Sequence, residues 1–331
     1  MSAIKTMGKV SIHWPSDIDC EIDEGKNTVK VHIRKTDKNM QTNGAAFEAW
    51  CLILKANGAC ESVTLSFEPV PVDPDNYFTN LDHGQQNYMR FLYRLMKFRH
   101  QMAEWFFIAD SNIEEVDRFT AKFNEHPKTN TIPKGEASFN EDTNGIEHKL
   151  EKAFHKFADF RQKAAGINFP LYDQLPNGLF VNEVRKMNRI FNGGDFDLWG
   201  VDPSDNKFCL YELKDPKNTG VGVISELYFY ANFAYDLLHE QNNIFLNRTN
   251  LDENDFRNYK EFLKSKNRGV KAFFLVQNLH PRIQEKADEI LVLLNSNVKI
   301  AYEIRKYDFE KFSEYEPKLA EAYKSVPTGE S

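Results

Sequence analysis

The chain contains no apolar run of about eighteen residues, so a transmembrane helix and a membrane partner are not expected. The opening MSAIKTMGKV holds no secretory h-region. Cysteine is scarce: Cys20, Cys51, Cys60 and Cys209 form no C-x-x-C pair, which argues against a structural zinc site and fits a reducing cytoplasm. Positive charge is not in excess, since 42 Lys and Arg face 49 Asp and Glu for a formal net charge of −7. That balance argues against a general nucleic-acid coat but leaves room for a local basic groove. Internal repeats and low-complexity tracts are absent. What is present is a large apolar complement, 41% of residues with 27 phenylalanines, enough for a sizeable core. A length of 331 residues favours two domains.

The first region, 1–135, reads as a smaller α+β domain of unknown role. Residues 28–34 alternate as a strand, 45–56 form an apolar helix, and 63–67 form a second strand stopped by Pro69 and Pro71. A long helix is expected from about 85 to 108, and another from 113 to 123. On the long helix Arg90, Arg94 and Lys97 lie in one stripe, read as a solvated face that could also track a phosphate backbone. Residues 136–144 form a polar linker. The second region runs from 145 to 325, and a disordered tail is expected over 326–331.

The second region is organised around 193–230. Phe196-Asp197-Leu198-Trp199 and Phe208-Cys209-Leu210-Tyr211 are two apolar strands separated by the turn-rich Asp202-Pro203-Ser204-Asp205-Asn206. The second strand runs into Glu212-Leu213-Lys214, whose two charged side chains share a face. If the strands pair, Asp197 comes beside Glu212. Two carboxylates and an ammonium then converge, a donor set suited to a hard divalent cation. A helix from Ile146 precedes the hairpin, with Glu147 and Glu151 one turn apart. A helix from about Val221 to Glu240 follows it, carrying Glu226 and Tyr230. Further on, 252–264 and 281–294 read as helices and 269–276 and 298–304 as strands. His280 is read as a helix cap.

Asp197, about fifteen residues, then Glu-x-Lys resembles the core of the PD-(D/E)xK nuclease superfamily, although Phe196 stands where the signature proline would be. The resemblance covers roughly 145–305. It implies an α/β, restriction-endonuclease-like fold: a mixed central sheet flanked by helices in the order αβββαβ, with a short strand near 179–182 supplying the first β. It also implies an enzyme, a nuclease dependent on Mg²⁺ or Mn²⁺, with DNA the default substrate and restriction or anti-phage defence a role by analogy. Asp197 and Glu212, with the Leu213 carbonyl, are its implied metal ligands. Lys214 positions or deprotonates the attacking water, and Glu147 completes the site. Glu226-x-x-x-Tyr230 is similar to the Gln-x-x-x-Tyr that RecB-like members carry on this helix. Lys217, Asn218, Arg185, Lys186 and Arg189 are candidate contacts to nucleic acid. The alternatives are a silent nuclease-fold module for binding or assembly, and an effector activated by a ligand or protein partner.

Overall fold

The computed structural model describes residues 4–7, 10–23, 25, 27–137, 139, 145–249 and 255–324, apart from the side chains of 4–13 and 324. The expected 326–331 tail and most of the 136–144 segment lie outside the described residues.

After a hairpin of β1 (Ile4–Met7) and β2 (Val10–His13), a four-stranded sheet forms. In it β3 (Ile18–Asp23) runs antiparallel to β4 (Thr28–Ile33), and β5 (Ser62–Phe67) and β6 (Phe106–Ile108) continue in parallel. Val29, Val31 and Ile33 are buried while Lys30 is exposed, the period of two that the sequence carries. The region's helices are α1 (Phe47–Ala56), α2 (His83–Gln101) and α3 (Asp110–Glu125). A reciprocal capping box between Asp82 and Gln85 starts α2.

Two expectations fail here. The long helix does not reach residue 108. It ends at Gln101, and Phe106 pairs with Val63 in the sheet. Phe106 and Ile108 are buried and Phe107 is exposed, an alternation too short to be told from helical spacing in sequence. The basic stripe is not solvated either. Arg94 is 2% exposed, donates from Nε to Glu48 Oε1 at 2.7 Å, and pairs with Glu48 Oε2 as well. Lys97 pairs with the buried Asp236 at 2.7 Å. Arg90 is buried, its Nη2 donating to the Asn192 carbonyl at 3.0 Å. The stripe faces inward because the second region packs against it.

The first region closes with β7 (Lys128–Asn130), and the second opens with α4 (Ile146–Lys156), α5 (Ala158–Ala165), β8 (Tyr172–Pro176), β9 (Leu179–Val181), β10 (Asp195–Asp202) and β11 (Lys207–Leu213). Then come α6 (Gly222–Leu238), β12 (Ile244–Phe245), α7 (Tyr259–Lys264), β13 (Val270–Val276), α8 (Pro281–Glu285), α9 (Ala287–Leu294), β14 (Ile300–Lys306) and α10 (Glu316–Lys324). A five-stranded mixed sheet has the order β14-β13-β11-β10-β8. Within it β8, β10 and β11 form an antiparallel meander, and β13 and β14 run parallel to β11. The strand near 179–182 does not open this sheet. It pairs with β7 in a separate three-stranded sheet, and the first strand is β8, whose polar, proline-ended YDQLP reads as a loop. The helix expected over 281–294 breaks at Lys286, and His280 caps its start by accepting from the Arg282 N–H at 3.2 Å.

Alternating side chains of β11 serve two layers. Cys209, Tyr211 and Leu213 pack with α4 and α5, whereas Phe208 and Leu210 join α6. The α6 layer is continuous with the apolar core of the first region, so both regions share one cluster of buried side chains. Ser225 of α6 donates to Glu48 Oε2 at 2.7 Å, adding to the Arg94 pair. All four cysteines are buried, and none is in a disulfide. Among the described residues no helix is long and apolar enough to cross a membrane.

Removing one partner of a buried ion pair strands the other charge, a loss of about 3–5 kcal/mol. Arg94→Met is therefore expected to lower the urea midpoint by that amount of stability, and Arg94→Met with Glu48→Leu to recover much of it. Equal midpoints for wild type and the single variant would show that the pair does not lock the two regions.

Candidate active site

Four elements, β10, β11, α4 and α6, bring four carboxylates to one ammonium. Lys214 follows the last residue of β11 and is 6% exposed. Its Nζ lies 2.6 Å from Glu212 Oε1, 3.1 Å from Glu226 Oε2 and 3.4 Å from Glu147 Oε1. Glu212 shares its face of the strand, Glu226 comes from the second turn of α6, and Glu147 from the first turn of α4. Asp197, on β10, accepts the Leu213 N–H at 2.9 Å through Oδ2. The hairpin register, with Leu198 opposite Tyr211, sets Asp197 next to Glu212.

The strand is irregular at this point. Phe196 pairs with Leu175 and Leu198 with Asp173, leaving Asp197 opposite Gln174, whose backbone is left-handed at φ 51°. Phe196 and Trp199 join one layer while Leu198 joins the other, so strict alternation breaks at Asp197. A left-handed non-glycine residue beside a local break in a strand is a recurrent mark of functional positions. Here it frees the Asp197 carboxylate to reach the neighbouring strand's N–H.

The electrostatics follow from burial. Loss of hydration, reinforced by Asp197 and Glu226, pushes the Glu212 carboxyl well above its usual range despite Lys214. Burial does the same for Asp197, against the pull of Lys214, with Glu151, Glu226 and Glu147 adding to the rise. Glu147 is raised more mildly, again by burial first. For Lys214 burial favours the neutral amine, but Glu212, Glu226, Asp197 and Glu147 outweigh it and hold the group as an ammonium. Burial, with Glu212, Glu226 and Asp197, pushes the Tyr230 phenol up against the pull of Arg90.

Carboxylate oxygens are the donor type that a hard divalent cation takes. Glu212 is 1% exposed and neither of its carboxylate oxygens has a hydrogen-bond partner; the close approach of Lys214 lacks hydrogen-bond alignment. Asp197 commits Oδ2 to a backbone N–H. Among the described residues no group of three or more His, Cys, Asp or Glu side chains forms a ready metal cage, because these carboxylates are gathered around the Lys214 ammonium.

The other candidates divide. Tyr230 is buried beside the cluster, its ring edge-on to Phe196 at 5.5 Å. Glu151 lies on the same helix as Glu147 but accepts from Gln174 Nε2 at 3.0 Å instead of reaching Lys214. Lys217 and Asn218 are exposed turn residues: Lys217 N–H donates to Asp215, and the Asn218 side chain accepts the Gly220 N–H. Arg185 is exposed and pairs with Glu183 at 2.9 Å, and Lys186 is exposed beside it. Arg189 stacks over Phe180, 5.2 Å from the ring centre.

Two contributors escaped the sequence. Gln41 donates from Nε2 to Glu226 Oε1 across 185 residues of chain. Arg90 lies over the Phe229 ring at 5.4 Å, with its buried Nε unpartnered. Gln41 sits in a polar loop with no periodicity to mark it, whereas Arg90 was visible but assigned to the wrong side of its helix. Comparison of the chain with protein-family models, curated proteins and solved structures finds no match.

Gly222 fixes the reach of Gln41. A Cβ there would collide with the Gln41 carbonyl oxygen and stand 2.9 Å from its carbon. Gly222→Ala is expected to push the loop off α6 and lose about 1–3 kcal/mol, the usual range for overpacking, read as a lower denaturant midpoint. An unchanged midpoint would mean that the loop yields freely.

Because the Glu212 pKa is raised on folding, the stability this group contributes is complete below the ordinary glutamate value of 4.5 and is lost as pH rises through the folded value. The metal-free Glu212→Gln variant should therefore melt higher than wild type at neutral pH, by about 2 °C for each ~1 kcal/mol relieved. The gap should close near pH 4. A lower melting temperature at neutral pH would show that the Glu212–Lys214 attraction outweighs the burial of charge.

Proposed function

We propose that the chain is a metal-dependent nuclease of the PD-(D/E)xK type, restriction-endonuclease-like in its second region, that hydrolyses phosphodiester bonds in DNA. The observation that carries this reading is the meeting of Asp197, Glu212 and Lys214 on a β-hairpin, with Glu147 and Glu226 closing on the same ammonium from the flanking helices. The element order α4, the β8-β10-β11 meander, α6 and the parallel β13 supports it, being the αβββαβ order the resemblance implies.

Asp197 and Glu212 would hold Mg²⁺ or Mn²⁺, with the Leu213 carbonyl as a third donor. A bound ion of this kind supplies Lewis-acid stabilisation of the phosphodiester and lowers the pKa of a water. Lys214, kept protonated by its carboxylate neighbours, orients the attacking water and offsets the negative charge that builds on phosphorus. Glu226 and Glu147 hold the ammonium in place, and Gln41 and Tyr230 support the α6 side. An ammonium held by three carboxylates is also a structural knot, and this favours a second reading in which the same fold serves as a binding or assembly module.

The test is cleavage of supercoiled, linear, single-stranded and RNA substrates with Mg²⁺ or Mn²⁺, wild type against Lys214→Ala. Wild type is expected to cleave DNA, chelator to abolish cleavage, and Lys214→Ala to reduce it at least 100-fold, the lower end of what a transition-state donor contributes. Absence of cleavage together with a silent metal titration would move the assignment to the binding module.

A further inference from the structure

Beside the carboxylate cluster a groove of about 330 Å³ opens between the 131–134 segment, the 176–178 turn and the 189–195 loop. Lys134, Arg189 and Arg257 line it. Arg257 is engaged, donating to the Gly135 and Gln174 carbonyls and pairing with Asp195 at 3.0 Å. Lys134 and Arg189 have no carboxylate partner among the described residues, and the buried Nε of Arg189 has no hydrogen-bond partner.

The groove is lined as well by Gly178, Gly193 and Gly194, so no side chain blocks a ligand there. A Cβ on Gly194 would stand 3.3 Å from Asn177 Oδ1 and 3.5 Å from both Asn177 Nδ2 and Tyr230 Oη. Asn177, behind Gly194, is 1% exposed and does not line the groove. A buried donor left unmatched is unfavourable, and a ligand acceptor that reached the Arg189 guanidinium would relieve it. Two cations without a carboxylate partner and a glycine lining select a compact oxyanion, the one carboxylate of the lining, Asp195, being taken up by Arg257. The volume lies at the lower end of ligand sites, about 300–1,000 Å³.

We propose that this groove is a phosphate subsite, holding the phosphate that neighbours the scissile one on a nucleotide chain. This rests on the nuclease reading for the identity of the chain, while the phosphate chemistry rests on the groove itself. Asp195, at the groove, precedes Asp197 by two residues, about 7 Å along an extended strand. Tyr230 touches both places, standing beside Gly194 and packing on Phe196. A chain lying across the N-terminal end of β10 passes from Arg189 and Lys134 to the carboxylate cluster. Arg189 offers the planar fork that matches phosphate oxygens, and Lys134 a point charge.

The experiment is fluorescence anisotropy of labelled single-stranded and duplex oligonucleotides in EDTA, where hydrolysis does not intervene, with inorganic phosphate as competitor. Full-length wild type is compared with Lys134→Ala, Lys134→Ala/Arg189→Ala and Lys214→Ala, with circular dichroism as the folding control. The double variant is expected to bind at least tenfold more weakly, to flatten the salt dependence by roughly one to two contacts, and to lose competition by phosphate. Lys134→Ala, at an exposed position, carries part of the slope change even if the double variant folds poorly. Equal affinity and slope in wild type and a folded double variant overturn the subsite while leaving Mg²⁺-dependent cleavage, and the nuclease reading, untouched. Phosphate-competed, Arg189-dependent binding by a protein that never cleaves keeps the subsite and removes the nuclease. No binding by folded wild type overturns the subsite.

Discussion

One buried ammonium holds this site together. Lys214 Nζ stands among Glu212, Glu226 and Glu147, with Asp197 tied to the next backbone N–H. Like charges about 4 Å apart repel by about 4 kcal/mol at a partly screened protein dielectric. Four carboxylates from four separate elements would not converge without a cation between them. Even with Lys214 present the negative charges outnumber the positive one. That surplus adds to the rise that burial imposes on the Glu212, Asp197 and Glu147 carboxyls, and it is the physical reason to look for a second cation here. It also explains why Glu212 keeps buried oxygens without hydrogen-bond partners.

The α6 helix turns this local balance into a property of the whole chain. One side packs on β11 and β13, and the other meets the first region. Glu48, Arg94 and Ser225 form a buried knot between α1, α2 and α6. Further along, Tyr93 and Lys97 grip Asp236, and Gln101 joins Tyr228 to Asn232. These are polar bonds in a closely packed interior, where any rotation of α6 would break several together. The position of Glu226 and Tyr230 is therefore set by the first region as much as by the sheet.

How far the sequence could be read depended on the length scale of each signal. The β10-β11 hairpin, α4, α6 and β13 carry long, regular apolar patterns with turn residues at their ends, and each was legible. So was the adjacency of Asp197, Glu212 and Lys214, because strand pairing fixes it once the hairpin is seen. The polar strand β8 was not legible, since YDQLP lacks alternation and is held by its pairing with β10. The end of α2 was missed because three residues cannot separate a period of two from one of 3.6. The inward turn of Arg90, Arg94 and Lys97 was illegible for another reason: their partners Glu48, Asn192 and Asp236 lie far away in sequence. A charged stripe on a helix looks solvated until the surface that buries it is known.

Glu226 shows how such distant partners change the chemistry of a site. The nuclease resemblance implies a glutamine at this position, a neutral side chain carrying its own amide donor. Here the helix supplies a carboxylate, and the amide arrives from Gln41, which donates to Oε1 while Lys214 takes Oε2. The acidic replacement adds a negative charge beside Lys214 and so helps keep it protonated in a dry environment, which a neutral glutamine could not do. It also makes the site dependent on the loop that carries Gln41. With that loop withdrawn, Glu226 would hold a buried, unpaired oxygen, and α6 would expose the apolar face that now packs on α1 and α2. The first region thus completes the carboxylate cluster chemically as well as covering it, and a change in its packing would reach Lys214 through a single side chain.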